Sequence, residues 1–335
     1  MRANPFLGFL SFCLLLLAGL AAAGGYGVYA YLKPGPLAEQ KLVLIDRGMG
    51  VSAIAGRLEK EGVISNAFLF KGAAYLTPMG NSLKAGEYEF AARVPAGEVM
   101  RMLHDGDVYD RKITIREGLT SWEVVQLINA DEELQGDPVT EIPPEGSLLP
   151  ETYSFITGET KQDKIDEMRA AMTKALDELW EKRSADLPVQ TKEEALALAS
   201  IIEKETGKPE ERRRVAGVFV NRLKRGIPLQ TDPSVIYAIT KGKHKNDGKG
   251  PLGRRLLKKD LEIDSPYNTY KYPGLPPGPI ANPGRASIEA ALNPEENDYI
   301  YFVADGTGGH IFAKTLAEHN KNVQEWRKIR RAQNR

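Results

Sequence analysis

From Ala3 to Leu32 the chain carries no charged residue, and Phe6 to Ala23 is almost wholly apolar. About 20 such residues, rising about 1.5 Å each, cross the hydrocarbon of a bilayer, so the pattern predicts an N-terminal transmembrane helix. Arg2 and the amino terminus precede the run, which predicts a cytoplasmic N-terminus with the rest of the chain outside. Ala21-Ala22-Ala23 would suit signal-peptide cleavage. The uncharged run continues through Gly24, Gly25, Tyr26 and Val28 to Leu32, however, and a retained single-pass anchor is expected. Lys33-Pro34-Gly35-Pro36 ends the helix and opens a linker.

Beyond the linker the pattern changes to short apolar runs separated by glycines. Leu42 to Ile45 reads as a strand, Gly48 and Gly50 as a turn, and Val51 to Glu61 as a helix. A helix around Asn66 to Tyr75 and a strand from Gly86 to Phe90 follow. A related strand-turn-helix unit recurs at Lys112–Ile115, Gly118 and Ser121–Ala130. A stretch rich in Pro and Glu, Glu141 to Gly146, then separates this region from Leu148-Leu149-Pro150-Glu151-Thr152-Tyr153. The remainder predicts a long helix from Asp163 to Arg183, a strand from Tyr299 to Val303 and a closing helix from Thr315 to Arg330. The fold class is therefore α+β: an N-terminal transmembrane helix, a small subdomain, and a mixed α/β domain. The expected boundaries are 1–33, 34–145 and 146–335.

The segment Leu196 to Gly207 carries the candidate chemistry. Thr191 followed by Glu194 makes a capping-box start, and Gly207 supplies a stop. At 100° per residue Leu198, Ile201 and Ile202 form one apolar stripe with Glu205 near its centre, while Glu203 falls beside Leu196, Ala199 and Ser200. A carboxyl group held against apolar surface loses hydration of its charged form and retains its proton toward neutral pH. That is what a general acid at a glycosidic oxygen requires. Spacing nominates both glutamates and does not choose between them.

Composition narrows the classes. Forty-five basic residues balance forty-five acidic ones, so no net field points to nucleic acid. The one cysteine, Cys13, lies in the apolar run, so the exported part has no disulfide framework. Four histidines without His-Glu-x-x-His or Cys-x-x-Cys spacing give no basis for a catalytic metal, and no cofactor is expected. The basic stretch Lys241, Lys243, His244, Lys245 and Lys249 reads as a solvated loop.

Several further segments stand in a fixed order: Glu211 to Leu223, Gly226 to Tyr237 with Gln230-Thr231-Asp232, Ser265-Pro266-Tyr267-Asn268-Thr269-Tyr270, Gly274 to Gly284, and Tyr299 to His310. Together with the Glu203 helix they closely resemble the YceG-like endolytic murein transglycosylases, over nearly the whole chain after the membrane segment. The resemblance implies an enzyme of the cytoplasmic (inner) membrane with its catalytic domain outside. Its substrate would be peptidoglycan strands, cut internally between N-acetylmuramic acid and N-acetylglucosamine to leave 1,6-anhydro ends, which would terminate strand elongation. Peptidoglycan synthases are candidate partners. It also implies a LysM-like glycan-binding role for residues 34–145, and it selects Glu203 as the catalytic glutamate. Gln230, Thr231, Asp232, Tyr267 and Asn268 are the expected substrate contacts, with Glu151 a weaker candidate. Two rivals remain: a peptidoglycan hydrolase using Asp232 or Glu205 as a second carboxylate, and a glycan-binding scaffold without activity.

Overall fold

The computed structural model describes residues 5–243 and 251–333, so His244, Lys245 and Lys249 of the basic stretch lie outside the described residues. The contacts divide the chain into two compact units, residues 1–111 with 154–157, and residues 112–153 with 158–335.

The first unit begins with helix α1 (Pro5–Leu32), of which Phe12–Leu32 is long and apolar enough to cross a membrane. Phe12, Leu15, Leu17 and Leu20 stand exposed with no protein against them. After it come β1 (Lys41–Ile45), α2 (Val51–Lys60), α3 (Ala67–Leu76), β2 (Gly86–Phe90) and α4 (Ala96–Asp105). β1 and β2 pair antiparallel, Val43 opposite Tyr88 and Ile45 opposite Gly86. The period-two alternation sends Val43, Ile45, Tyr88 and Phe90 inward and leaves Leu42 and Leu44 exposed. The helices answer with Ile54 and Leu58 of α2, Phe70 of α3, and Val99, Met100 and Leu103 of α4, all buried. Asn66 caps α3 by accepting the Leu69 N–H at 2.9 Å, and Gly106 closes α4 at φ +79°, a conformation suited to glycine.

The second unit holds β3 (Arg111–Thr114, its first residue still in the other unit), α5 (Ser121–Ala130), β4 (Thr152–Phe155, its last two residues in the other unit), α6 (Lys161–Trp180), α7 (Lys192–Glu205), α8 (Pro209–Lys224), α9 (Asp232–Thr240), α10 (Arg285–Leu292), β5 (Tyr301–Ala304), β6 (His310–Ala313) and α11 (Leu316–Gln333). Capping boxes start α5 at Thr120/Glu123, α6 at Thr160/Asp163 and α7 at Thr191/Glu194. β5 and β6 form an antiparallel pair with Phe302 opposite Phe312.

α7 is the centre of this unit. Ala195 and every residue from Ala197 to Ile202 are buried, so the helix is enclosed on nearly all sides instead of along one stripe. Met172 and Leu179 of α6, Val215 and Phe219 of α8, and Ile288 and Leu292 of α10 pack around it. Burying each such Leu, Ile, Val or Phe contributes about 1.5–3 kcal/mol. Gly217 lets α8 approach the segment after α10, because a Cβ there would run into the Glu295 carbonyl.

The second strand-turn-helix segment, residues 112–130, lies in this compact unit. Buried polar ties explain this. Asn282 accepts from the Leu148 N–H at 3.0 Å and donates to Leu119 O at 3.1 Å and Ser121 Oγ at 3.2 Å, while Thr120 Oγ1 donates to Gly242 O at 2.7 Å.

Candidate active site

α7 delivers Glu205 as its last residue to the wall of a cavity of about 520 Å³. Gln230, Asp232 and Tyr270 line the same cavity, as do Arg222 of α8, Tyr301 of β5, and His319 and Asn320 of α11. Phe219, Leu229, Phe302 and Leu316 supply its apolar wall.

Each polar group is held from behind. Arg222 is only 8% exposed and donates to Leu229 O at 3.0 Å and to Gln230 Oε1 at 2.9 Å. Its guanidinium lies 5.5 Å from the Tyr301 ring centre, and the His319 ring stacks on the same tyrosine at 5.0 Å. Gln230 sits at φ +56°, the left-handed region, and its N–H donates to Thr269 O at 3.1 Å. A glutamine there is strained, by about 1–3 kcal/mol, and such strain persists where the surroundings hold it. Asp232 opens α9, and its Oδ1 accepts the Tyr270 hydroxyl at 2.7 Å.

The irregular Pro/Gly-rich loop owes its shape to Asn268, which is fully buried. Its amide donates to Leu261 O at 2.9 Å and Ile263 O at 2.8 Å, and its Oδ1 accepts the Tyr270 N–H at 3.0 Å. Thr269 Oγ1 accepts the Thr231 N–H at 3.0 Å and lies 2.8 Å from Ser234 Oγ. These bonds fix Tyr270 against Asp232.

Burial and a neighbouring charge act on Glu205 at the cavity wall. Set deep among protein atoms yet open to the cavity, its carboxyl is pushed up to about 7 by burial first and by the neighbouring Asp232 charge second. Burial also raises the Tyr270 hydroxyl, which its bond to Asp232 reinforces. Burial lowers both Arg222 and His319, the latter further through the Arg222 charge. A carboxyl that is half protonated near neutral pH can give a proton and take one back.

Glu203 occupies a different environment, two residues earlier on α7. Its side chain is 6% exposed, its Oε2 accepts the Gly284 N–H at 2.9 Å, and Arg212 Nη2 stands 4.0 Å away. Arg212 also lies 3.6 Å from Glu117, whose carboxyl is raised by burial and by Glu203. A Cβ on Gly284 would meet the Glu117 carboxylate, the end of a flexible side chain. Glu203 does not line the cavity.

The YceG-like family model matches residues 43–325. The chain belongs to the YceG-like family. A Bacillus subtilis (strain 168) protein named endolytic murein transglycosylase is 37% identical over 314 residues, covering 84% of this chain and 83% of the relative. A Streptococcus pneumoniae (strain D39) protein of the same name is 32% identical, covering 93% of this chain and 64% of the relative, so this chain spans less than two thirds of that protein. A crystal structure of a yceG-like protein from Listeria monocytogenes shares 35% identity over 85% of this chain and 99% of that one, with a TM-score of 0.49.

Within this YceG-like chain the expected substrate contacts separate. Gln230 and Asp232 line the cavity. Thr231 between them is 2% exposed, its hydroxyl buried without a protein partner. Tyr267 instead packs on Tyr237, ring centres 4.8 Å apart, and does not line the cavity. Asn268 braces the loop, its amide bonded to the backbone, and does not line the cavity. Glu151 is exposed and also outside the cavity. Glu203, the expected catalytic glutamate, has its carboxyl beside Gly284 and Arg212 and does not line this cavity. Arg222, Tyr301, His319 and Asn320 were not foreseen. Arg222 carried a signal, a basic residue three positions after Phe219 on an apolar helix face; the α11 pair carried none.

Proposed function

We propose that this chain is a membrane-anchored lytic transglycosylase that cuts within peptidoglycan strands, with Glu205 as its acid and base. The observation that carries the role is Glu205 beside Asp232 on the cavity wall, its carboxyl raised to about 7. The enzyme class rests on family membership and on the names of the relatives. Protonated Glu205 donates to the oxygen between N-acetylmuramic acid and N-acetylglucosamine, and the C1–O bond breaks. The resulting carboxylate takes the proton from the muramyl C6 hydroxyl, whose oxygen bonds to C1 and closes the 1,6-anhydro ring. No water enters. Asp232, anchored by Tyr270, places negative charge near the oxocarbenium-like centre, while Gln230 and Arg222 supply donors for sugar oxygens.

The apolar α1 supports a single-pass anchor, with the N-terminus on the cytoplasmic side by the charge at Arg2. The β1-α2-α3-β2 order supports a LysM-like glycan-binding role in residues 34–145, beside a catalytic region within 146–335. Peptidoglycan synthases are the partners an enzyme acting on growing strands would meet. A second reading, hydrolysis, draws on the presence of two carboxylates, Glu205 and Asp232, in one cavity. Digestion of purified glycan strands separates the two: anhydro-muramyl ends by mass mean the lyase, reducing ends the hydrolase. Glu205→Gln should lower cleavage by about 10²–10⁴-fold or more, since one residue serves two proton transfers. Glu203→Gln should retain most of the rate. The opposite ranking would return the acid role to Glu203.

A further inference from the structure

The first unit carries an apolar surface that its own core does not explain. On α3 Phe68, Tyr75 and Leu76 are 77%, 69% and 88% exposed, while Phe70 and Ala74 on the opposite face are buried. Between this helix and α1 runs an apolar groove of about 380 Å³. Glycines keep it open: Gly24 and Gly27 of α1 and Gly72 of α3 have no atom within 4 Å of where a Cβ would stand. The end of α1 is held in this unit by Tyr31, whose ring occupies the space a Cβ on Gly97 of α4 would need.

The depth of the groove follows from α1. Phe12–Leu32 supplies 21 residues, about 31 Å of helix, close to the hydrocarbon thickness of a bilayer. Gly24 to Leu32 then falls in the outer leaflet and rises to the head groups, where amphipathic aromatic rings collect. Tyr26 and Tyr29 lie there, 59% and 64% exposed, and Lys33, the first charge after the span, reaches over the Tyr29 ring at 5.9 Å. Because α3 lies beside Gly24, Gly27 and Tyr31, its exposed Phe68, Tyr75 and Leu76 stand at that same level. The apolar surface is thus continuous with the span itself.

We infer that α3 is a membrane-contacting helix: Phe68 and Leu76 enter the outer leaflet beside α1, and a phospholipid acyl chain fills the glycine-floored groove. This rests on the reading of α1 as a retained anchor. The first unit is then held to the bilayer by two elements, one that spans and one that lies at the interface.

The full-length chain, with Cys13→Ser to remove its one thiol, is reconstituted in phosphatidylcholine–phosphatidylglycerol vesicles. A polarity-sensitive fluorophore is placed in turn at Phe68→Cys, Leu76→Cys, Leu17→Cys and Lys174→Cys. Phosphatidylcholine brominated near the head group should remove most of the emission at positions 68 and 76 and leave position 174 unchanged, with aqueous iodide giving the reverse pattern. Lipid brominated near the chain ends should quench position 17. If position 17 is quenched but positions 68 and 76 respond like position 174, the interfacial role of α3 is overturned. If position 17 is not quenched either, the anchor reading fails and this inference with it.

Discussion

Replacing Glu205 by glutamine tests the electrostatic basis of the site without relying on substrate. In the native chain the carboxyl is raised from its ordinary value of 4.5 to about 7, burial being the larger cause and Asp232 the smaller. Between those values the folded protein holds a proton that the unfolded chain has released. The folded state therefore binds more protons, and stability must fall as pH rises through this window. The shift spans about 2.5 pH units, and at about 1.4 kcal/mol per unit the loss is about 3 kcal/mol by pH 8 relative to pH 4. Glutamine does not titrate, so the difference in unfolding free energy between variant and wild type should move by about that amount in the variant's favour over the same range. Urea unfolding of both proteins in the same detergent, at closely spaced pH values, reads this difference directly. Steps common to both proteins cancel, including those of the first unit. A difference that stays flat between pH 4 and 8 would refute the raised carboxyl, and with it the argument for Glu205 as the acid.

Asp232→Asn keeps an acceptor for Tyr270 but removes the charge that helps hold the Glu205 proton, so the alkaline limb of the pH–rate profile should move to lower pH. An unmoved limb alongside reduced turnover would mean that Asp232 acts only on the substrate. Asn268→Ala leaves the carbonyls of Leu261 and Ile263 and the Tyr270 N–H without their partner, and each such buried loss costs about 1–3 kcal/mol. Denaturation should show that loss, with a fall in turnover as Tyr270 loosens. Gly217→Ala drives a methyl group into the Glu295 carbonyl and should destabilise by about 1–3 kcal/mol with the pH–rate profile unmoved; equal stability would mean the segment after α10 yields freely.

The elements of this protein were legible along the chain because their signals are local. The uncharged run gives α1, alternation gives β1 and β2, and Thr191 with Glu194 starts α7 where the capping box places it. The order of the Gln230, Tyr267 and Gly274 segments carried the family. Periodicity also put Glu205 at the centre of the apolar stripe, while the resemblance pointed two residues away. What a stripe cannot state is which carboxyl meets a cavity, since that depends on what covers each side of the helix. Gly284 and Arg212 close around Glu203, whereas Gln230, Asp232 and Tyr270 leave space in front of Glu205. Asn268 looked like a ligand for a sugar because it is an amide in an aromatic loop; only the fold shows its donors spent on Leu261 and Ile263. His319 and Asn320 come from a helix more than 100 residues downstream of Glu205 in the chain. Their place at the cavity arises from packing α11 against β5 and β6, a long-range contact that no local pattern encodes. The sequence by itself thus determined the elements and the family, and the tertiary structure set the surroundings of each carboxyl, because a raised proton affinity needs burial and a neighbouring charge that only packing supplies.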